Sequence, residues 1–191
     1  EELALAGLKR VARDCGRELD LLHTKVELPS EPFPQMRYPE IYGVLEEYGK
    51  KVPYGADIGK EGESILAKHV LEKHKTDAFF ISRFPSKIKP FYVMRVDEDP
   101  QWARSVDFVY REIEQSSGGQ REHRYEKIMS QLRELNINPE GMKWFTEPFK
   151  FGVPPHGGFC LGIERFTMAF LRKENVREAT LFPRTPERLV P

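Results

Sequence analysis

Cysteine is scarce in this chain: Cys15 and Cys160 are the only two among 191 residues. They form no CxxC pair and have no Cys/His ligand spacing, so neither a disulfide framework nor a structural zinc site is expected, and a reducing, cytoplasmic setting fits. Long hydrophobic runs are missing as well. No stretch approaches the roughly 18 apolar residues of a membrane span, and no basic-then-apolar leader is present. Nor is there an excess of charge of either sign, since 30 basic residues balance 30 acidic ones. That balance argues against bulk electrostatic capture of nucleic acid, while leaving room for a local basic pocket. Internal repeats and low-complexity tracts are absent. A chain of this length buries roughly 70% of its unfolded surface on folding, which suits a single domain over residues 1–191.

Read for pattern, the chain opens with helical periodicity. Leu5, Leu8, Val11/Ala12, Cys15, Leu19 and Leu22 recur at three- and four-residue steps with no capping residue ahead of them. One helix over 1–22 is expected, and a start inside a helix implies further chain upstream. The Pro-rich "ELPSEPFPQMRYPE" reads as an extended connector, "EIYGVLEEYG" as a short helix, and 62–74 as an amphipathic helix with Ile65, Leu66, Val70 and Leu71 inward. Strand signals follow at 78–81, 90–94, 105–110 and 113–117, then a helix over 122–135, a buried strand in "GGFCLGI", and a helix over 164–171. Strands on short connections with helices grouped between them imply an α+β fold whose sheet is largely antiparallel.

Three stretches carry chemistry. In "SVDFVYREIEQSSGGQR" a two-residue loop at Arg111-Glu112 would pair Tyr110 with Ile113, Val109 with Glu114 and Asp107 with Ser116. Asp107 and Glu114 then become diagonal neighbours on one face, roughly 7–8 Å apart. Two carboxylates that leave room for substrate phosphates suit Mg²⁺; the same spacing suits two solvated charges on an exposed sheet face. Gly118 and Gly119 mark close approach of a ligand or of another backbone. Arg121 just beyond them can grip a carboxylate or phosphate in two parallel hydrogen bonds, or pair with Glu122 or Glu126. In "PPHGGFCLGIERFTMAF", Gly157 and Gly162 have P-loop spacing, but Ile163 and Glu164 stand where Lys and Ser/Thr would be needed, so this is no P-loop. Its glycines would admit a flat ring, and Arg165 at the head of a helix could stack on it or meet a phosphate; the same pattern suits a tightly packed strand–turn–helix whose glycines serve packing alone. His156 suits a structural hydrogen bond better than a catalytic base.

The order of these stretches resembles the class II aminoacyl-tRNA synthetases. "GGFCLGIERF" is similar to their motif 3, here about 157–171, and "RFPSKIKPFYVM", "GGQREHRYE" and "FKFGVPPHGG" resemble the archaeal and eukaryotic aspartyl enzymes. The resemblance implies a class II antiparallel sheet flanked by helices, present as the C-terminal part of a catalytic domain. Motifs 1 and 2 and the anticodon-binding barrel have no counterpart in this sequence, and 1–22 resembles the helix after motif 2. It further implies that Glu114, Gly162, Ile163, Glu164 and Arg165 bind ATP, with Glu114 and Arg165 catalytic. Ser117 and Arg121 would bind L-aspartate, and Asp107, Glu114 and Ser117 would lie at Mg²⁺. The implied partners are ATP, aspartate and a tRNA acceptor end, with a homodimeric parent protein and no membrane. The implied activity is activation of aspartate and its transfer to tRNA(Asp), extending in some relatives to tRNA(Asn). The competing expectation is a stand-alone paralogue, either asparagine-synthetase-like or a non-catalytic nucleotide-binding protein. Glu112 stands where the family commonly has glycine, which implies a longer or strained turn.

Overall fold

A computed structural model describes residues 1–190. Helix α1 (Glu2–Asp14) buries Ala4, Leu5 and Leu8. The continuous helix expected over 1–22 is broken instead. Cys15 leaves helical geometry (φ −113°, ψ 32°) and α2 (Gly16–Leu21) restarts from a glycine, one of the poorest helix formers. The Pro-rich connector contains an unexpected three-residue strand, β1 (Gln35–Arg37), and leads into α3 (Tyr38–Glu47) with a proline in its first turn. Helix α4 (Gly59–His74) buries Leu66 and Val70 as its periodicity indicates. Leu71, however, is exposed and His69 takes the inward position.

Four further strands, β2 (Ala78–Ser82), β3 (Ser105–Tyr110), β4 (Ile113–Gln120) and β5 (Gly157–Leu161), complete a sheet of order β1-β2-β3-β4-β5. Only the β1–β2 pair is parallel; the other pairs are antiparallel. The strand expected over 90–94 does not form. Pro90 has no N–H to give a ladder, and the segment straps across the end of β4 through single bridges, Val93 to Arg121 and Arg95 to Ala103.

Period-two alternation sends β2 and β3 side chains to two cores. Phe79, Ile81 and Val109 pack in front under α3 and α4, against Tyr38, Ile41, Leu45, Leu66 and Val70. Ala78, Phe108 and Tyr110 pack behind under α1 and α7 (Ile163–Phe170), against Leu5, Leu8, Phe166 and Phe170. Helix α5 (Tyr125–Glu134) turns Ile128 and Leu132 inward. The short helix α6 (Lys143–Thr146) lies on the path to β5. β5 departs from the buried strand expected. It lies at the sheet edge with only β4 beside it, and Phe159 is 66% exposed. The front cover therefore ends over β3, leaving the front of β4 and β5 open. Among the described residues no helix is long and apolar enough to cross a membrane.

Candidate active site

The β3–β4 hairpin builds the open strip. Its loop has the two residues expected, and both take positive φ, Arg111 at 51° and Glu112 at 63°. That is the geometry of a tight hairpin turn that favours Gly or Asn, so a non-glycine residue there is strained. Arg111 holds the turn in place. Its Nε donates to Asp77 at 3.0 Å, and its Nη1 donates to the carbonyls of Ala169 and Phe170 at 3.0 and 3.2 Å, satisfying the C-terminal end of α7.

Past the turn, the register differs from simple alternation. Val109 opposes Glu114 as expected, but Phe108 opposes Ser116 and Asp107 opposes Ser117. Gln115 is the extra residue of a β-bulge, buried, with its Nε2 donating to the carbonyls of Tyr110 and Ile113. The expected Asp107–Ser116 pairing is thus corrected by one position. The bulge turns Ser116 to the back and brings Ser117 onto the same face as Asp107 and Glu114. Ser117 Oγ donates to Asp107 Oδ1 at 2.5 Å.

A cavity of about 510 Å³ opens beside this strip. Glu114, Ser117, Cys160, Gly162, Glu164 and Arg165 line it, so five residues singled out in the sequence converge there. Gly162 N–H donates to Gln115 O at 2.8 Å, which ties the entry of α7 to the bulge. Arg165 Nη1 lies 3.3 Å from Glu114 O and 3.5 Å from Glu114 Oε1. Ile163 starts the helix but is 64% exposed. Asp107 lies behind Ser117 and is nearly buried. No group of three or more His, Cys, Asp or Glu side chains forms a metal cage among the described residues. The Glu114 carboxylate and the Ser117 hydroxyl at this cavity, with Asp107 bonded behind the hydroxyl, nonetheless suit Mg²⁺, which takes few protein oxygens and completes its shell with water and phosphate.

Farther along β4, the two glycines serve backbone packing. A Cβ on Gly118 would lie 2.5 Å from Phe159 Cβ, and one on Gly119 would lie 2.7 Å from Arg104 O. Arg121 follows, its N–H donating to His156 O at 2.9 Å and its guanidinium 4.4 Å from the Tyr92 ring centre. Arg121 has no acidic partner among the described residues. Glu122, 1% exposed, instead takes two hydrogen bonds from Arg124, each of 2.8 Å, plus the backbone N–H groups of His123 and Arg124. Burial alone pushes the Glu122 carboxyl up, but the Arg124 bonds outweigh it and hold the group below its ordinary value. His156 has the structural role expected, its Nδ1 being 3.0 Å from Pro154 O.

Three functional candidates escaped sequence reasoning. Lys89 pairs with Asp107 at 3.2 Å from the loop after β2, where no periodicity points to it. Tyr92 lies in the segment expected as a strand, and only the turn there puts its ring under Arg121. Glu63 lies on α4. Burial first, and then the charges of Glu114, Asp57 and Asp107, raise its carboxyl above the ordinary value, which places it in the negative field of the strip.

This geometry has counterparts. Residues 1–186 match the family model described as tRNA synthetases class II (D, K and N). The chain belongs to that family. Among curated relatives it is 44% identical over its whole length to the aspartate–tRNA(Asp) ligase of Pyrococcus furiosus, and 41% identical over 98% of its length to the aspartate–tRNA(Asp/Asn) ligase of Aeropyrum pernix. It spans 44% and 43% of those two proteins. Among solved structures, an aspartyl-tRNA synthetase from Entamoeba histolytica superposes with a TM-score of 0.90 at 33% identity, covering 96% of this chain and 39% of that one. The asparaginyl-tRNA synthetase of Pyrococcus horikoshii, complexed with asparaginyl-adenylate, gives 0.83 at 30% identity, covering 96% and 42%. The α+β sheet with flanking helices is therefore the class II synthetase fold.

Proposed function

We propose that this chain is the C-terminal part of the catalytic domain of an aspartate–tRNA ligase. In this reading it binds ATP and L-aspartate, forms the aspartyl-adenylate and passes the aspartyl group to the acceptor end of tRNA(Asp), within a cytoplasmic homodimer. The observation that carries the choice of amino acid is Arg121. It is a guanidinium without an acidic partner among the described residues, supported on Tyr92 and fixed at the backbone by His156. Such a group suits a second carboxylate and disfavours a neutral amide. Curated relatives named for tRNA(Asp) and for tRNA(Asp/Asn) share tRNA(Asp), which supports it as the acceptor.

The residue roles follow from the cavity. The uncapped first turn of α7 and Arg165 face the space beside Glu114, an arrangement suited to nucleotide phosphates or a purine ring. Glu114 would hold Mg²⁺ together with Ser117, and Asp107 stands behind them; the ion, when bound, supplies positive charge among the phosphates. The α-carboxylate of aspartate attacks the α-phosphate, an O–P bond forms, and the bond to pyrophosphate breaks. Arg121 holds the side-chain carboxylate away from that attack, so only one carboxylate is in line. No proton needs removing in this step, and the protein's contribution is positioning and charge.

Aspartate-dependent exchange of pyrophosphate into ATP, in the full protein that carries this chain, tests the reading. Arg121→Ala is expected to reduce aspartate-dependent exchange by roughly a hundredfold to a thousandfold, the scale of losing a desolvated charge pair. The loss should lie mainly in KM for aspartate. Exchange that is unchanged in the variant, or driven equally by asparagine, would remove Arg121 from this role.

A further inference from the structure

The two acids of the open strip are held very differently. Glu114 meets Arg165 at 3.5 Å, with 41% and 56% of the side chains exposed. Asp107 meets Lys89 at 3.2 Å, with only 8% and 14% exposed. Lys89 follows the short 3₁₀ turn Ser86–Ile88, and its ammonium sits 3.6 Å from the Phe84 ring centre, where it gains a cation–π contact. Its Nζ lies 3.2 and 3.5 Å from the two Asp107 oxygens, and the same carboxylate accepts the Ser117 hydroxyl. Every oxygen of Asp107 is therefore engaged.

Solvated ion pairs are weak and open readily. Separating a nearly buried pair leaves an uncompensated charge, which is costly. A divalent cation entering with nucleotide phosphates takes Glu114 from Arg165 far more easily than it takes Asp107 from Lys89.

We propose that Lys89 is a positioning residue that keeps Asp107 off the cation and turned toward Ser117, so that Asp107 acts through the Ser117 hydroxyl. A hydroxyl has one donor and two acceptor lone pairs. With its proton committed to Asp107, Ser117 presents only lone pairs outward, beside Glu114, to a cation or an ammonium group. Lys89 also supplies the positive charge that lets Asp107 stay close to Glu114 and Glu63. The proposal rests on the metal and nucleotide reading above.

The test uses the full protein that carries this chain, with Mn²⁺ in place of Mg²⁺ and ATP present, and free Mn²⁺ followed by electron paramagnetic resonance. Lys89→Met releases Asp107 to the cation and is expected to tighten Mn²⁺ binding roughly tenfold, as an added carboxylate ligand would. Lys89→Arg should restore the parent affinity, and Glu114→Gln should weaken it by about tenfold or more. A merely structural lysine would give a looser or unchanged site. In parallel, NMR of the ¹⁵N-lysine-labelled full protein should show a protected Lys89 ammonium that disappears in Asp107→Asn and persists when Mg²⁺ and ATP are added. Loss of that signal on adding Mg²⁺ and ATP overturns the proposal, and so does a folded Lys89→Met variant that binds Mn²⁺ no tighter than its parent. Should Lys89→Met fail to fold, the ammonium signal decides. A full protein that binds no Mn²⁺ in any variant brings down the metal reading itself and this proposal with it. One that binds Mn²⁺ without responding to Lys89 brings down this one alone.

Discussion

Strand β4 is held at its two ends by different physics. At the hairpin end, Glu114 and Arg165 form an open, solvated pair beside a cavity, above a turn that runs through two residues of positive φ. At the other end, Gly118 and Gly119 let neighbouring backbones close to within contact, and Glu122, locked by Arg124, stands next to Arg121. Arg124 also pairs with Asp97 at 2.8 Å, and Asp97 with Arg104 at 3.3 Å. A group that must adapt to phosphates and a hydrated ion gains from loose partners. A group that must tell a carboxylate from an amide gains from being fixed beforehand, because reorganisation weakens selectivity. On this comparison the hairpin end of β4 is adjustable and the end at Arg121 is rigid.

Perturbing the rigid end should cost most. Arg124→Met leaves the Glu122 carboxylate buried without its partner and is expected to destabilise the chain by about 3 kcal/mol at neutral pH, measured by urea unfolding. Because Glu122 is held below its ordinary value of 4.5, its stabilisation is present above that pH and lost as pH falls through the folded value. The gap between parent and variant should therefore narrow on acidification below about pH 4.5; a gap independent of pH would mean that Arg124 acts through packing alone.

Gly118→Ala comes next. The added methyl meets Phe159 Cβ and, at 2.6 Å, Gly158 O, and an overpacked contact of this kind costs about 1–3 kcal/mol. Hydrogen exchange should show the β4–β5 amides losing protection first. Uniform loss across the sheet would argue against a local clash.

At the adjustable end the sign reverses. Glu112→Gly relieves a positive-φ residue and is expected to stabilise by up to about 1 kcal/mol, raising the melting temperature by about 2–4 °C for a domain of this size. A lower melting temperature would show that the Ser64–Glu112 hydrogen bond of 3.2 Å outweighs the strain.

Local chemistry made much of this legible before the structure. Alternation in β2 and β3, the two-residue hairpin, the glycine pair and the strand–turn–helix at Gly162 all follow from backbone rules acting over a few residues. The exposure of β5 was not legible, because "GGFCL" is apolar enough for an interior strand and only the sheet order makes it an edge. The bulge at Gln115 hid for a related reason. Its signal, a polar side chain able to bond backbone carbonyls within the strand, is weak, yet it decides whether Ser116 or Ser117 stands beside Asp107. Lys89 and Tyr92 come from a loop, where neither period applies, and their partners lie 18 and 29 positions away. Leu71 and His69 exchanged places on α4 because the helix surface turned to the core is narrower than its apolar stripe.

Both ends of α7 are fastened to the same hairpin. Gly162 and Arg165 donate to the backbone carbonyls of Gln115 and Glu114 at the start of the helix, and Arg111 donates to its last carbonyls. The bonds from Arg165 and Arg111 join residues 51 and 58–59 positions apart. Contacts of such separation form only after the loops between them close. During synthesis the hairpin emerges with Lys89 already available to Asp107 but with Glu114 unanswered, and the cavity beside Glu114 cannot form until α7 has left the ribosome. The contacts of Arg121 and Glu122, whose partners all lie between Tyr92 and His156, can be in place before then.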